Sequence, residues 1–110
     1  MNIIDINSLM GPGGEVATFH GFEHGASISF FIVQFAPGHG PNKHRHPYEE
    51  TFILLHGQIE AIVDGNSQTI GGGQIAIIPA NTWHEFKNCS DQPLQMLNIH
   101  PVQKMITDWA

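Results

Sequence analysis

Cationic side chains and cysteine are the scarcest features of this chain. Four of its 110 residues are Lys or Arg, against ten Asp or Glu, and the formal net charge is −6. Proteins that bind nucleic acid neutralise many phosphates with Lys and Arg, so this balance argues against a nucleic-acid partner and against an anionic membrane surface. The single cysteine, Cys89, excludes an internal disulfide framework and agrees with a reducing compartment.

Long apolar runs are also lacking. No stretch approaches the roughly 20 apolar residues that a membrane-spanning helix needs, and the first ten residues lack the basic region of a secretory signal. We therefore predict a cytoplasmic protein made of one domain over residues 1–110. Only 13% of the residues are charged. A surface with so few charges predicts a homodimer, in which a second copy of the chain covers part of that surface.

Short apolar runs recur along the chain, and turn-forming residues separate them. Their β-branched and aromatic residues and their lengths are typical of strands, so the pattern predicts a β-sandwich or barrel. The runs cover residues 28–36, 51–55, 59–63, 75–78 and 94–100. The tail differs, because four of its apolar residues have helical spacing and predict a short C-terminal amphipathic helix. These four are Val102, Met105, Ile106 and Trp109.

Histidine is concentrated in one stretch. Four of the eight histidines lie in residues 38–57, GHGPNKHRHPYEETFILLHG. On an extended strand, residues two apart project to the same side, so His44 and His46 form a pair of imidazoles suited to a transition metal. Glu50, on the strand that follows, can approach this pair from an antiparallel neighbour. The distant His84 is the candidate for a fourth ligand.

Two stretches of the chain resemble the two sequence motifs of the cupin superfamily. The first motif, at residues 38–57, matches at Gly38, His44, His46, Glu50 and Gly57, and the second, at residues 73–88, matches at Gly73, Pro79, His84 and Asn88. The one departure is Asn81, where glycine is usual, and asparagine tolerates the positive φ of such a turn. The resemblance implies an all-β jelly-roll barrel, also called a double-stranded β-helix. It further implies one divalent ion, Fe, Mn, Ni or Zn, held by His44, His46, Glu50 and His84.

Strand parity predicts which side chains surround the metal. Phe52 and Leu54 share the face that carries Glu50, and Phe86 has the parity of His84. The predicted pocket residues are Phe52, Leu54, Phe86 and His100. Such a mostly apolar pocket suits a small molecule with a carboxylate, carbonyl or enolate head and an apolar body.

Several functions agree with this site. The analogy with cupins favours a metal-dependent enzyme with dioxygenase-type oxidation of a small substrate, while isomerase, lyase or decarboxylase chemistry remains an alternative. Proton transfer would need a second group, and Tyr48 and His56 are the candidates, although plain packing or turn placement also explains both. A non-catalytic module that binds or senses a small molecule is the alternative of another class, because function resides in the site and not in the fold.

Overall fold

Ten β-strands and three short helical elements make up the structure, a computed structural model that describes residues 1–110. The strands are β1 (Val16–Phe19), β2 (Ser29–Val33), β3 (His44–Arg45), β4 (Glu50–His56), β5 (Gln58–Val63), β6 (Asn66–Gly71), β7 (Ile75–Ile78), β8 (His84–Asn88), β9 (Gln95–His100) and β10 (Asp108–Trp109). The helical elements are two 3₁₀ turns, Ile6–Leu9 and Pro12–Gly14, and the helix α1 (Gly21–His24). None of these helices has the length and hydropathy to cross a lipid bilayer.

The strands form two antiparallel five-stranded sheets. The first sheet has the order β1-β2-β9-β4-β7, and the second has the order β10-β3-β8-β5-β6. Consecutive strands such as β3 and β4 lie in different sheets, so the chain crosses between the layers as it does in a jelly roll. The predicted all-β jelly-roll class is confirmed, and each of the five apolar runs overlaps one strand.

The hydrophobic core lies between the two sheets. Because side chains alternate along a strand, β4 buries Glu50, Phe52 and Leu54 while Thr51 and Ile53 stay half-buried. Burial of a side chain such as Leu54 stabilises the fold by about 1.5–3 kcal/mol. The nine residues of the core cluster are Val33, Phe52, Leu54, Ile59, Ala61, Ile78, Phe86, Leu94 and Met96. The alternation on β4 thus places a carboxylate and two apolar side chains in the same interior.

Two backbone features bring the distant motifs together. Gly40 lies where the loop before β3 crosses β8, and a Cβ added there would overlap the carbonyl oxygen of Phe86. Asn81 has a φ of +59°, as the sequence predicted for this turn. Its backbone N–H donates to the His46 carbonyl over 2.7 Å. The turn before β8 is therefore tied directly to the stretch that carries the paired histidines.

The predicted C-terminal helix is wrong. After β9 the chain turns at residues 101–104 and then runs extended into β10, which pairs with β3 through Asp108–Arg45 and Trp109–His44. Strand β3 is two residues long and has β8 on its other side, so without the tail its outer edge would be unpaired. Pairing with that edge satisfies backbone groups on both segments, and this outweighs a helical spacing of only four apolar residues.

Candidate metal centre

Four buried side chains converge between the sheets. His44, His46, Glu50 and His84 each offer one ligand atom, and these atoms all lie within 4.8 Å of one another. They are the four residues that the cupin resemblance implied. Imidazole nitrogen and carboxylate oxygen are the donors that Fe, Mn, Zn and related ions take in proteins.

Both sheets contribute to the cluster. His44 on β3 and His84 on β8 are direct partners across the second sheet, and their ring centroids are 4.3 Å apart. Glu50 begins β4 in the first sheet, opposite Ile78. His46 lies between the layers, in the crossing from β3 to β4. The crossover from one sheet to the other is thus what closes the site, and no single hairpin could build it.

A backbone carbonyl fixes the orientation of each imidazole. The Nδ1–H groups of His44, His46 and His84 donate to the carbonyl oxygens of Asn42, Ile106 and Thr82, over 2.7, 2.8 and 2.8 Å. With the proton on Nδ1, the Nε2 atom of a neutral imidazole keeps a free lone pair. Backbone carbonyls support metal-binding histidines in this way in many proteins. All three rings are therefore prepared to present Nε2 to one ion.

The environment of His46 Nε2 tests whether an ion fits. This atom is buried and has no hydrogen-bond partner, although Glu50 Oε1 lies 3.2 Å away. His84 Nε2 lies 3.1 Å from the same oxygen. At these distances the lone pairs of the two imidazole nitrogens repel the carboxylate oxygen, unless a proton or a cation lies between them. The donor set therefore fits a bound cation.

The protonation states of Glu50 and His44 favour metal binding, whereas an ion that binds His46 must displace a proton. Burial raises the pKa of Glu50, but contacts with His100, His46 and His84 outweigh it and hold this pKa well below its usual range. Burial is also the largest influence on His44 and lowers its pKa. Burial lowers the pKa of His46, whereas Glu50 and the Ile106 carbonyl raise it, and the net result is a raised pKa. An ionised carboxylate and a neutral imidazole are thus in place at neutral pH.

Tyr48 and His100, which were both named from the sequence, form a hydrogen-bonded pair next to Glu50. The Tyr48 hydroxyl and His100 Nδ1 are 2.7 Å apart, and His100 Nε2 lies 3.1 Å from Glu50 Oε2. The Ile106 N–H donates to the Tyr48 hydroxyl over 3.1 Å. His100 is fully buried, so it contacts the back of the carboxylate and does not line the open cavity. Tyr48 thus contacts the metal cluster in two ways, through the hydroxyl to His100 and through its ring, which stacks on that of His46 with centroids 5.3 Å apart.

The other residues named from the sequence lie at varying distances from the ion site. Phe52 packs edge-on against His84, with ring centroids 6.3 Å apart, and against Phe86. Leu54 is fully buried in the core below. His56 is exposed at the end of β4 and pairs with Gln95, and it contacts none of the four cluster residues. His56 is therefore not part of the site that the structure assembles.

A cavity of about 180 Å³ opens beside the cluster. His44, His46 and Glu50 lie on its wall, and four aromatic side chains surround them: Phe31, Phe35, Phe86 and Trp109. Asn98 and Thr107 are its neutral polar residues. The sequence interpretation found Phe86 but missed Phe31, Phe35, Asn98, Thr107 and Trp109. Alternation along β9 was an available signal for Asn98, because Met96 and His100 share its buried face.

Protein families and curated proteins include relatives of this chain. A family model described as "Cupin domain" matches residues 31–100. Among curated proteins, the polyketide synthase CurC of Streptomyces cyaneus is 31% identical over 75 residues, which cover 66% of this chain and 49% of that protein. The chain therefore spans about half the length of this relative.

Solved structures with the same fold extend the comparison. Oxalate decarboxylase from Lactobacillus farciminis, in a formate complex, superposes with a TM-score of 0.83 at 23% identity, over 96% of this chain and 35% of that one. Bacillus subtilis oxalate decarboxylase, studied for its Mn(II) centres, gives 0.80 at 22% identity, over 94% and 30%. A Klebsiella pneumoniae protein with a double-stranded β-helix domain gives 0.76 at 18% identity, over 99% and 91%. At these identities the likeness establishes the fold.

Proposed function

This chain belongs to the cupin family, and we propose that it is a metal-dependent enzyme that oxidises a small organic molecule bound at the ion. The observation that carries the proposal is the convergence of His44, His46, Glu50 and His84 on one point beside an apolar cavity. Three neutral imidazoles and one carboxylate leave a divalent ion with a formal charge near +1. An octahedral ion would keep about two positions open for substrate or O₂.

The chain's own residues account for the remaining requirements. A divalent ion at this site supplies Lewis-acid polarisation and, if it is redox-active, electron exchange with O₂. The three backbone carbonyls hold the imidazoles in one orientation, and the aromatic wall places apolar surface next to the reacting groups. No acidic side chain other than Glu50 lines the cavity, which favours oxidation over chemistry that needs a separate general base.

Decarboxylation is the second candidate within the enzyme class. It is favoured by the likeness to oxalate decarboxylases, one of which has Mn(II) centres. The chain spans about a third of those proteins, so their activity is carried over only as an alternative. A binding or sensing module is the non-enzymatic alternative, in which the ion only anchors a ligand.

One experiment separates these functions. The purified protein is loaded anaerobically with Fe(II) or with Mn(II), its metal content is determined, and O₂ uptake and CO₂ release are followed with 1,3-diketones, catechols, thiols and oxalate. We expect substrate-dependent O₂ uptake by the Fe(II) form. CO₂ release from oxalate by the Mn(II) form would instead support decarboxylation. Full metal content without turnover of any compound would contradict an enzymatic function.

Tyr48 is proposed to act on Glu50 through His100 and not on the substrate. Its hydroxyl contacts His100 Nδ1 at 2.7 Å, and His100 in turn contacts Glu50 Oε2. We expect Tyr48→Phe to lower turnover or metal affinity about 10-fold, as the loss of an outer partner of a metal ligand does. Steady-state kinetics and chelator competition measure the two effects. His56→Ala is the matched control, and wild-type behaviour of Tyr48→Phe would contradict the role.

A homodimer through the outer face of the first sheet is also proposed. Two rows of side chains cross this face in register, Ile32–Leu97–Ile53–Ile75 and Phe30–Ile99–Thr51–Ile77. None is charged, and Ile75 and Ile77 are 67% and 66% exposed. A continuous uncharged face on a chain of net charge −6 suits contact with an identical face, because the like charges of the two copies stay apart.

Sedimentation measures this assembly. We expect a dimer for the wild-type chain at micromolar concentration and a monomer for Ile77→Glu, because the dimer would bury two unpaired carboxylates at a symmetric contact. Gln68→Glu adds the same charge on β6 in the other sheet and should remain dimeric. A monomeric wild-type protein would exclude the dimer.

A reducing compartment such as the cytoplasm is proposed for the protein. Cys89 is exposed as a free thiol in the loop after β8. Exposed free thiols persist where the cell keeps them reduced, so this feature agrees with the cytoplasmic location that the composition predicts.

A further inference from the structure

We infer that Asn98 selects the substrate of this cavity, and that the preferred ligand is an aromatic molecule with a ring hydroxyl group in addition to the oxygen donors of its metal-binding head. The inference rests on the proposed function in one respect, namely that the ligand enters the cavity with its head at the ion. It adds the chemical class of the ligand and the residue that recognises it.

Asn98 is a polar side chain that the protein itself leaves unpaired. It lies in the middle of β9, is 5% exposed, and lines the cavity. Its Oδ1 atom is buried and has no hydrogen-bond partner. Its neighbours in register are Phe31 on β2 and Phe52 on β4, and neither side chain offers a hydrogen-bonding group.

An unpaired amide at this position lowers the stability of the fold. A buried polar group without a partner loses its hydrogen bonds to water and gains nothing in return. Of the adjacent inward residues of β9, Met96 is apolar, and His100 has its two ring nitrogens 2.7 Å from the Tyr48 hydroxyl and 3.1 Å from Glu50 Oε2, whereas Asn98 Oδ1 has no such polar neighbour within the protein. A ligand that supplies the missing partner explains why an amide stands on this wall.

The cavity sets the shape and polarity of that ligand. Its volume of about 180 Å³ exceeds the roughly 150 Å³ of an apolar protein cavity that binds benzene. Phe31, Phe35, Phe86 and Trp109 provide the apolar walls. These features suit one aromatic ring with a small oxygen-bearing head at the ion.

The same walls disfavour a small dianion. No Lys or Arg lines the cavity, so a second ionised carboxylate held away from the ion would be buried without a counter-charge. A neutral hydroxyl has no such penalty, since it both donates and accepts and therefore suits either end of the Asn98 amide. The ligand class is thus an aromatic hydroxyl compound and not one that carries a second carboxylate at the wall opposite the ion.

Matched ligands and variants test the role of Asn98. The probes are 1-phenylbutane-1,3-dione and its 3′-hydroxy, 4′-hydroxy and corresponding methoxy derivatives. Their dissociation constants are measured by calorimetry on Zn(II)-loaded protein, which cannot turn them over oxidatively. In the wild type we expect one hydroxy derivative to bind at least about 10-fold more tightly than both the parent and its methoxy analogue, because a site built to pair with a hydroxyl discriminates against ligands that lack it.

Asn98→Leu replaces the amide with an apolar side chain of similar size. We expect this variant to bind the parent dione at least as tightly as the wild type does, and to lose the preference for the hydroxyl. Its metal content should be unchanged and its thermal midpoint raised, because the unpaired buried amide is gone. Thr107→Val removes the other neutral polar group of the wall and should keep the preference.

Two failures are distinguishable. If the parent dione binds but no hydroxy derivative binds better, or if Asn98→Leu keeps the preference, the role of Asn98 is wrong and the proposed function stands. If metal-loaded protein binds none of the diones, both the inference and its premise of a ligand head at the ion are wrong.

Discussion

Replacing His84 with alanine is expected to abolish stoichiometric metal binding. His84 Nε2 lies 3.1 Å from Glu50 Oε1 and faces His44 across β3 and β8, so it closes one side of the ligand set. Loss of an outer partner of a metal ligand already costs about 10–100-fold in affinity or activity, and loss of a ligand removes a coordinate bond as well. We therefore expect affinity to fall by more than about 100-fold. Elemental analysis after dialysis against a weak chelator measures the metal that remains.

Stability provides an independent measure of the same change. An ion that binds the folded state and not the unfolded chain stabilises it by about 2.7 kcal/mol when its concentration is 100-fold above the dissociation constant. Added Mn(II) or Zn(II) should therefore raise the thermal midpoint of the wild type and leave that of His84→Ala unchanged. His46→Ala should behave like His84→Ala.

His20→Ala is the control for both measurements. His20 lies next to α1, outside the four-residue cluster. It should keep wild-type metal content and the wild-type thermal response. Full metal loading in His84→Ala or His46→Ala would show that the ion, if bound, is held elsewhere.

The ligand set could be predicted from the sequence because its signals are local. The histidine pair and the choice between two adjacent glutamates depend on strand alternation, and the structure buries Glu50 while Glu49 is exposed. The spacing of the second motif located His84 by resemblance. Each of these inferences needs only residues within one short stretch. The prediction that Glu50 approaches the histidine pair from an antiparallel neighbour is wrong, because β3 and β4 lie in different sheets and meet across the interior.

Asn98 and the link from Tyr48 to His100 required knowledge of the sheet order. Asn98 is unpaired because β9 lies between β2 and β4, whose facing residues are Phe31 and Phe52. Tyr48 and His100 are 52 residues apart and meet only in the folded chain. Alternation along β9 indicates which of its residues are buried, but the chemistry of that face is decided by long-range pairing that a single sequence does not display.

The conformation of the tail was predicted wrongly for the same reason, because it depends on pairing with a distant strand. The tail is also more important to the metal centre than its exposure suggests. Ile106 and Trp109 are 56% and 60% exposed, yet the Ile106 carbonyl accepts the Nδ1–H of His46 over 2.8 Å. Trp109 packs against His44, with ring centroids 5.0 Å apart. The helical spacing predicted that Ile106 and Trp109 share one apolar face. The pairing of β10 with the edge of β3 determines the conformation of the tail instead.

Ending the chain after Lys104 is therefore expected to weaken metal binding about 10–100-fold while the barrel stays folded. The deletion removes the carbonyl that holds the proton of His46 on Nδ1, so the ring is no longer fixed with Nε2 toward the ion. No residue of the deleted segment belongs to the core cluster. Chelator competition measures the affinity, and the thermal midpoint of the metal-free protein verifies the fold.

Trp109→Ala separates the two contributions of the tail. This variant keeps the backbone of residues 105–110, and therefore the Ile106 carbonyl, but removes the ring that lines the cavity. It should retain metal with near wild-type affinity and bind aromatic ligands more weakly, whereas the deletion should impair both. Metal affinity that survives the deletion would mean that the remaining contacts of His46, above all with Glu50, orient its ring without the tail.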